Sequence, residues 1–124
     1  MDADTAGANG HLTVSVQPWT RGVVIRPDGE LDHDTVGPLR EALDAVLAEP
    51  PARLVVDCGG LDFCDSTGLN LLIRSQATAE AGGGRLVLAA PGEMVARMLA
   101  VTGVGEVLQV YPTLDEALAG QADD

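Results

Sequence analysis

The sequence contains no lysine. Its seven basic residues are all arginines, set against 19 aspartates and glutamates, and the formal net charge is −12 at pH 7. An electrostatic field of this sign repels phosphate backbones and anionic lipid head groups, so direct binding to nucleic acid or to a membrane surface is not expected. Without lysine the chain also cannot form a phosphate-binding loop of the Gly-x-x-x-x-Gly-Lys-Ser/Thr type. The charge suits a protein partner with a basic docking face.

Aromatic residues and cysteines are also scarce. The three aromatic residues, Trp19, Phe63 and Tyr111, are too few for a base-stacking platform. Two cysteines, Cys58 and Cys64, cannot build a disulfide scaffold, and no histidine lies close enough in sequence to favour a zinc site. We predict that both thiols are buried or half-buried in a reduced protein. A redox-sensing role for Cys64 is a secondary hypothesis.

Long hydrophobic segments are absent too. No apolar run approaches the roughly 18 residues that a membrane-spanning helix needs, and the N-terminus lacks the basic and apolar regions of a secretory signal. We therefore predict a cytoplasmic protein without membrane insertion. With 124 residues, 46% of them hydrophobic, the chain suits one folded domain. The small, polar or acidic residues of 1–10 and 120–124 predict a disordered N-terminal arm and a disordered tail around a domain spanning 11–119.

Hydrophobic periodicity predicts five strands and four helices in the order β-β-α-β-α-β-α-β-α. The strands are expected at 12–17, from 23 to near Gly29, and at 54–56, 86–88 and 107–110. The first helix is expected at about 36–47, with Thr35 as N-cap and Pro38 in its first turn. The second begins near Leu69 and ends at the glycines 82–84. A third helix follows Pro91, and a short fourth helix follows a capping box formed by residues 113 and 116.

The third helix has a predicted buried face of its own. Met94, Met98 and Val101 recur at helical spacing and are expected to face the core, and Gly103 is expected to end the helix. Strands that alternate with helices imply right-handed crossovers and a mostly parallel sheet, with the first strand antiparallel to its neighbour. The prediction is a single-domain α/β fold. In such sheets, sites form where strands end and helices begin, which selects the loops 28–34 and 58–68.

The second loop carries the most informative residues. Ser66 lies where the loop becomes a helix, and the positive end of the helix dipole there tolerates an added phosphate. The alternative is that Asp65, Ser66 or Thr67 only caps the helix. The sequence around Ser66 lacks the Gly-x-Ser-x-Gly motif of serine hydrolases, and both histidines precede it. We therefore predict a protein that is not an enzyme and has no cofactor.

The first loop contains one histidine between two acidic residues. His33, flanked by Asp32 and Asp34, could bind a metal or act as a base. The interpretation we prefer is a loop residue whose charge the neighbouring carboxylates stabilise, so no metal site is predicted.

Two motifs together resemble a known family. Gly29-Glu30-Leu31-Asp32-His33 precedes a helix, and Leu61-x-Phe63-x-Asp65-Ser66-Thr67-Gly68-Leu69 follows a Val-Val-Asp strand. The order of the two motifs, and their positions where predicted strands end and helices begin, resemble the STAS domain. The resemblance is closer to the stand-alone bacterial anti-sigma factor antagonists. The resemblance covers residues 12–119.

The resemblance implies a partner-switching mechanism. An unmodified antagonist binds an anti-sigma factor, which is also a serine kinase of the histidine-kinase-like ATPase fold, and a sigma factor is released. The kinase phosphorylates the serine that matches Ser66, with Thr67 as the second choice, and a metal-dependent serine phosphatase reverses the modification. The expected partner-binding residues are Glu30, Asp32, His33, Asp62, Asp65, Thr67, Gly68 and Leu69.

Two other functions remain open at this point. The chain could be a STAS-like interaction subunit of a transport or sensory complex in which Ser66 is only a helix cap. It could also bind a small molecule, although the missing lysine and the negative charge argue against a nucleotide.

Overall fold

The described part of the chain folds into a six-stranded mixed sheet with four α-helices. The computed structural model describes residues 11–49, 51 and 53–120. In chain order the elements are β1 (Leu12–Trp19), β2 (Gly22–Leu31), α1 (Gly37–Leu47), β3 (Arg53–Asp57), β4 (Gly60–Cys64), α2 (Ser66–Ala81), β5 (Arg85–Ala89), α3 (Glu93–Thr102), β6 (Gln109–Tyr111) and α4 (Leu114–Gly120). A 3-10 turn at Val104–Glu106 precedes β6. The arm predicted at 1–10 and residues 121–124 of the predicted tail lie outside the described residues.

The sheet is parallel except at one edge. Its strand order is β1-β2-β3-β5-β6, with β1 antiparallel to β2 and every other pair parallel. β4 lies off this path and pairs in parallel with residues 28–31 of β2. The predicted fold class and the antiparallel first strand are confirmed. The prediction of five strands is wrong, because residues 60–64, expected in a loop, form β4.

The helices cover the sheet unequally. The larger apolar cluster contains Ile25, Leu54, Val56, Leu86 and Leu88 of the sheet together with buried residues of α1, α2 and α3. On the opposite face, α4 contributes Ala117 to a smaller cluster with Val55, Val87 and Ala89. All five residues of β3 are buried, as predicted for a strand covered on both faces. Burial of a leucine or valine side chain contributes about 1.5–3 kcal/mol, so these two clusters dominate the stability of the fold.

Local capping signals fix the helix ends. Gly83 has a left-handed φ of 90°, the N–H of Gly84 donates to Ala79 O at 2.8 Å, and α2 therefore ends as the glycine run predicts. Gly103, with φ 79°, ends α3. Thr113 Oγ1 accepts the N–H of Glu116 at 3.0 Å and caps α4. No helix within the described ranges is long and apolar enough to cross a membrane.

Local predictions need correction in three elements. The strand expected at 107–110 is β6 at Gln109–Tyr111, and Val107 is exposed after the 3-10 turn. β2 continues to Leu31 rather than ending near Gly29, because its last residues pair with β4. Helix α1 begins at Gly37 with Val36 at the N-cap position, and Pro38 lies in the first turn as expected. Thr35 is not the cap, because its hydroxyl donates to Glu30 O at 2.6 Å.

The buried face of α3 also differs from the prediction. Val95 and Leu99 face the core at 2% and 4% exposure, whereas Met94 is 51% and Val101 is 78% exposed. Met98 is half-buried and packs against the core cluster. The apolar residues of this helix occupy more than one face, and α3 packs beside β4 through the face that carries Val95 and Leu99.

Candidate functional site

The two loops selected from the sequence lie side by side in the fold. Parallel pairing of β2 with β4 aligns Glu30 with Phe63 and Leu31 with Cys64. The N–H of Asp65 donates to Leu31 O at 3.0 Å, which joins the two strand ends directly. The two selected loops therefore meet at the ends of adjacent strands, and the strand beside β2 at this point is β4 rather than β3.

Asp65 is the N-cap of α2. Its Oδ1 accepts the N–H of Thr67 at 2.9 Å and the N–H of Gly68 at 3.2 Å. Ser66 is the first residue of the helix, is exposed, and its hydroxyl forms no hydrogen bond within the described residues. Thr67 is half-buried. Because Asp65 satisfies the orphan N–H groups, the Ser66 hydroxyl is not used for capping and is accessible to solvent.

Replacing the capping carboxylate is expected to weaken the start of α2. Asp65→Ala removes both hydrogen bonds and is expected to lower the free energy of unfolding by about 1–2 kcal/mol. Asp65→Asn retains an accepting oxygen and is the matched control, with a smaller expected loss. Urea denaturation followed by circular dichroism measures both. Equal stability of Asp65→Ala and the wild type would contradict the assignment of Asp65 as the cap.

Gly68 and Leu69 support the site from below. Gly68 is buried, and a Cβ at this position would lie 2.6 Å from Leu31 Cγ and 3.0 Å from Cys64 Sγ. Leu69 is 3% exposed and belongs to the core cluster. Both residues were expected on the partner-binding surface, but their burial gives them a packing role, in which Gly68 lets α2 approach β2 and β4 closely.

Asp32 organises the first loop. Its Oδ1 accepts the N–H of Asp34 at 2.9 Å and the N–H of Thr35 at 3.1 Å, as in an Asx turn. The Asp32 N–H in turn donates to the Thr35 hydroxyl at 2.9 Å. Glu30 is half-buried near the end of β2, and its carbonyl accepts a hydrogen bond from the Thr35 hydroxyl. The loop is thus held by internal hydrogen bonds in one conformation beside α2.

His33 lies between the two loops, beside two carboxylates. Its side chain is 73% exposed, with Nδ1 3.9 Å from Asp65 Oδ2 and Nε2 3.5 Å from Asp34 Oδ1. This geometry matches a loop histidine beside carboxylates. In the parts of the chain that the structure describes, no group of three ligating side chains is placed to hold a metal ion.

The outer face of β4 adds one residue that the sequence analysis did not select for the site. Phe63 is 38% exposed, and Asp62 beside it is also exposed, whereas Leu61 and Cys64 are buried. An exposed aromatic side chain three positions before Ser66 is a typical anchor for a protein partner. In β4, the apolar residues that pack into the core are Leu61 and Cys64, so Phe63 is left on the outer face.

The family model described as the Mlab, STAS domain matches residues 14–110 of the chain. The chain belongs to the STAS domain family. Among curated STAS relatives, the anti-sigma-F factor antagonist RsfB of Mycobacterium tuberculosis is 32% identical over 111 residues, a match that covers 88% of each chain.

Solved STAS structures agree with this assignment. An anti-sigma factor antagonist from Mycobacterium paratuberculosis superposes with a TM-score of 0.82 at 31% identity, covering 88% of this chain and 92% of that one. The anti-sigma factor antagonist SpoIIAA in its unphosphorylated form superposes with a TM-score of 0.74 at 27% identity, covering 90% and 98%. The Bacillus SpoIIAA has also been solved in the phosphorylated form, with a TM-score of 0.67, 28% identity and coverage of 86% and 97%.

An ion-pair network braces the turn that leads into β4 of this STAS domain. Arg26 Nη1 donates to Asp57 Oδ2 at 3.1 Å and Arg26 Nε donates to Asp28 Oδ1 at 3.0 Å. Asp57 Oδ1 accepts the N–H of Gly59 at 3.0 Å. The hydrogen bond to Asp28, opposed by partial desolvation and reinforced by the charge of Asp57, raises the pKa of Arg26. The network fixes the β3–β4 turn just before the Ser66 loop.

The two cysteines of the STAS domain are core residues, as predicted. Both are 0% exposed. Burial raises the pKa of Cys58 to about 12, with smaller contributions from Cys64 and Asp57, and burial followed by the charge of Asp65 raises the pKa of Cys64 to about 12. Redox-sensing thiols are accessible and have a lowered pKa, so the structure does not favour that role for Cys64.

These thiols are expected to make the domain less stable at alkaline pH. A thiol that stays protonated in the folded state but ionises near pH 9 when unfolded stabilises the fold below pH 9, and this contribution falls as the pH rises toward 12. The expected loss at pH 10 is on the order of 1 kcal/mol per thiol. Urea denaturation at pH 8 and pH 10 measures it. A Cys58→Ala/Cys64→Ala variant is expected to lack this component, and an equally steep pH dependence in that variant would contradict the assignment.

Proposed function

We propose that this STAS protein is a cytoplasmic anti-sigma factor antagonist that is switched by phosphorylation of Ser66. With Ser66 unmodified, it binds an anti-sigma factor, which is also a serine kinase, and a sigma factor is released. Transfer of phosphate from ATP to the Ser66 hydroxyl ends this binding, and a serine phosphatase restores it. In this proposal the protein is the substrate and the regulator, not an enzyme.

The accessible Ser66 hydroxyl carries the proposal. A kinase acceptor needs an exposed hydroxyl without competing hydrogen bonds, and Ser66 has both properties because Asp65 supplies the helix cap. The similarity to SpoIIAA, solved in unphosphorylated and phosphorylated forms, supports a phosphorylated residue in a protein of this fold. The similarity to RsfB supports an anti-sigma factor as the partner.

The proposed docking surface surrounds Ser66. It comprises the exposed or half-exposed residues Glu30, His33, Asp62, Phe63 and Thr67. Asp32 and Asp65 lie at the same place but use their carboxylates to hold the loop and the helix start. The surface combines one aromatic anchor with several carboxylates, which suits a partner with a basic rim.

The competing function, in which Ser66 serves only as a helix cap of an interaction subunit, lacks support from the geometry. The capping hydrogen bonds go to Asp65 Oδ1, and the Ser66 hydroxyl has no role in them.

A capture experiment tests the proposal. The chain, immobilised as bait, is incubated with a lysate of its source cells, with or without ATP and Mg²⁺, and bound proteins and phosphopeptides are identified by mass spectrometry. We expect capture of a kinase-type anti-sigma factor when ATP is left out. With ATP and Mg²⁺ present, we expect phosphate on Ser66 and less of the captured partner. Ser66→Ala is expected to capture the same partner without accepting phosphate, and Thr67→Ala, the matched control, is expected to remain a substrate. Phosphate still incorporated into Ser66→Ala would move the acceptor to Thr67.

A further inference from the structure

A second concave surface lies between α1 and α2, away from the Ser66 site. This groove of about 450 Å³ is lined by residues 40–48, which belong to α1 and its C-terminal end, and by residues 71–78 of α2, among them Ser75. Ser75 follows Ser66 by nine positions on α2, which is about 13 Å along a helix that rises 1.5 Å per residue. The groove is therefore a separate surface, and the proposed function does not use it.

The groove concentrates positive charge on an acidic protein. Arg40 and Arg74 lie on its two walls, and both are exposed. Neither forms an ion pair with any residue in the described part of the chain, although the sequence contains 19 acidic residues. Asp44 is the other charged residue of the lining, so the three side chains sum to one positive charge.

Ser75 adds a buried polar group to the same groove. The residue is 5% exposed and forms no hydrogen bond among the described residues. Its oxygen is not fully enclosed by the protein, so the hydroxyl is reachable from the groove. Because Ser75 lines the groove, a bound molecule with an accepting oxygen can satisfy it.

The remaining lining is apolar. Leu71, at 6% exposure, and the half-buried Leu47 contribute to the groove from α2 and α1. Ligand sites in proteins commonly combine such an apolar floor with a few convergent polar groups. Here the polar groups are two guanidinium groups and one hydroxyl, which together suit a carboxylate oxygen pair.

We infer that the α1–α2 groove binds a small monoanionic amphiphile, that is, a carboxylate carried on a short alkyl segment. The carboxylate lies between Arg40 and Arg74 and accepts from the Ser75 hydroxyl. The alkyl segment lies on Leu47 and Leu71. Asp44 opposes a second negative charge, so a monoanion is preferred over a dianion such as phosphate.

Titration of the full chain with decanoate, below its micelle concentration, tests this site. Amide shifts in ¹H–¹⁵N spectra report where the ligand binds, with sodium phosphate and the neutral octyl glucoside as comparison ligands. We expect saturable shifts at residues of the groove with decanoate and weaker binding of both comparison ligands. Arg40→Gln/Arg74→Gln is expected to lose at least tenfold in affinity, and Ser75→Ala severalfold without loss of stability. Arg97→Gln, an exposed arginine on α3, is the control with unchanged affinity.

Three results would overturn the inference. Shifts that do not saturate, or that persist unchanged in the double arginine variant, would show that the groove is not the site. Phosphate binding as tightly as decanoate would remove the role of the alkyl segment. Octyl glucoside binding as tightly would remove the role of the carboxylate. None of these results bears on phosphorylation of Ser66, so the two proposals fail independently.

Discussion

Phosphorylation of Ser66 is expected to weaken binding to the anti-sigma factor by a hundredfold or more while leaving the fold intact. The phosphate adds about −1.5 to −2 charges to a surface that already carries Asp62 and Asp65. At an effective dielectric constant of about 20, like charges about 4 Å apart cost on the order of 4 kcal/mol. The positive end of α2 offsets less than about 1 kcal/mol at an exposed helix start. About 1.4 kcal/mol corresponds to a tenfold change in affinity. The net cost of about 3 kcal/mol therefore weakens binding by a hundredfold or more where the phosphate lies inside the interface, away from the basic rim of the partner.

Calorimetric titration of the partner with the unmodified and the phosphorylated chain measures this effect directly. Ser66→Asp is expected to bind weakly as well, although one carboxylate carries less charge than a phosphate. Repeating the titrations at higher salt separates the causes, because screening reduces an electrostatic penalty and leaves a steric one unchanged. Equal affinity of the two forms would refute the switch. Loss of the native circular dichroism spectrum in Ser66→Asp would instead show that the charge acts through the fold.

The sequence was sufficient to select two loops that lie together in the fold, but not to predict the strand that joins them. The rule that sites form at the carboxyl ends of parallel strands selected the loops after β2 and after β3. In the structure, the ends of β2 and β4 bring them together. β4 was not predicted because residues 60–64 begin at the second of two consecutive glycines and contain only two core residues, Leu61 and Cys64. Its strand conformation depends on pairing with residues 28–31 of β2, which are distant in sequence.

The errors on helices have a different origin. In α3, Met94, Met98 and Val101 follow a helical period as well as Val95 and Leu99 do, so periodicity alone could not choose the buried face. Packing of α3 beside β4 decided it. At α1, Thr35 is a good N-cap residue, but the Glu30 carbonyl lies close enough to bind its hydroxyl instead. Both outcomes depend on tertiary neighbours rather than on local sequence.

The role of Ser66 shows how geometry narrows a choice that the sequence leaves open. Residues 65–67 all suit a helix start, so capping by any of them was plausible. Only the coordinates show that Asp65 Oδ1 accepts both N–H groups, which leaves the serine hydroxyl unbound in the described residues. Sequence reasoning selected these three residues, and the hydrogen bonds distinguish which of them caps the helix.

The second large effect is expected from a single methyl group beneath the site. Gly68→Ala is expected to lower the free energy of unfolding by about 1–3 kcal/mol, the usual cost of an overpacked contact. The added Cβ would lie 2.6 Å and 2.7 Å from two carbons of Leu31, which is itself 0% exposed and has no space to move into. Alanine is otherwise the better helix former by up to about 1 kcal/mol, so steric conflict has to exceed that gain.

Gly37→Ala provides the matched control for this prediction. Gly37 is also in the first turn of a helix, but a Cβ there meets no atom within 4 Å, so its substitution is expected to be neutral or stabilising. Urea denaturation compares the two variants, and the rate of phosphorylation by the captured kinase reports whether α2 still presents Ser66 correctly. We expect Gly68→Ala to be phosphorylated more slowly, because relief of the contact with Leu31 moves the first turn of α2. Equal stability of the two variants would show that α2 does not require the close approach to β2 on which the geometry of the site depends.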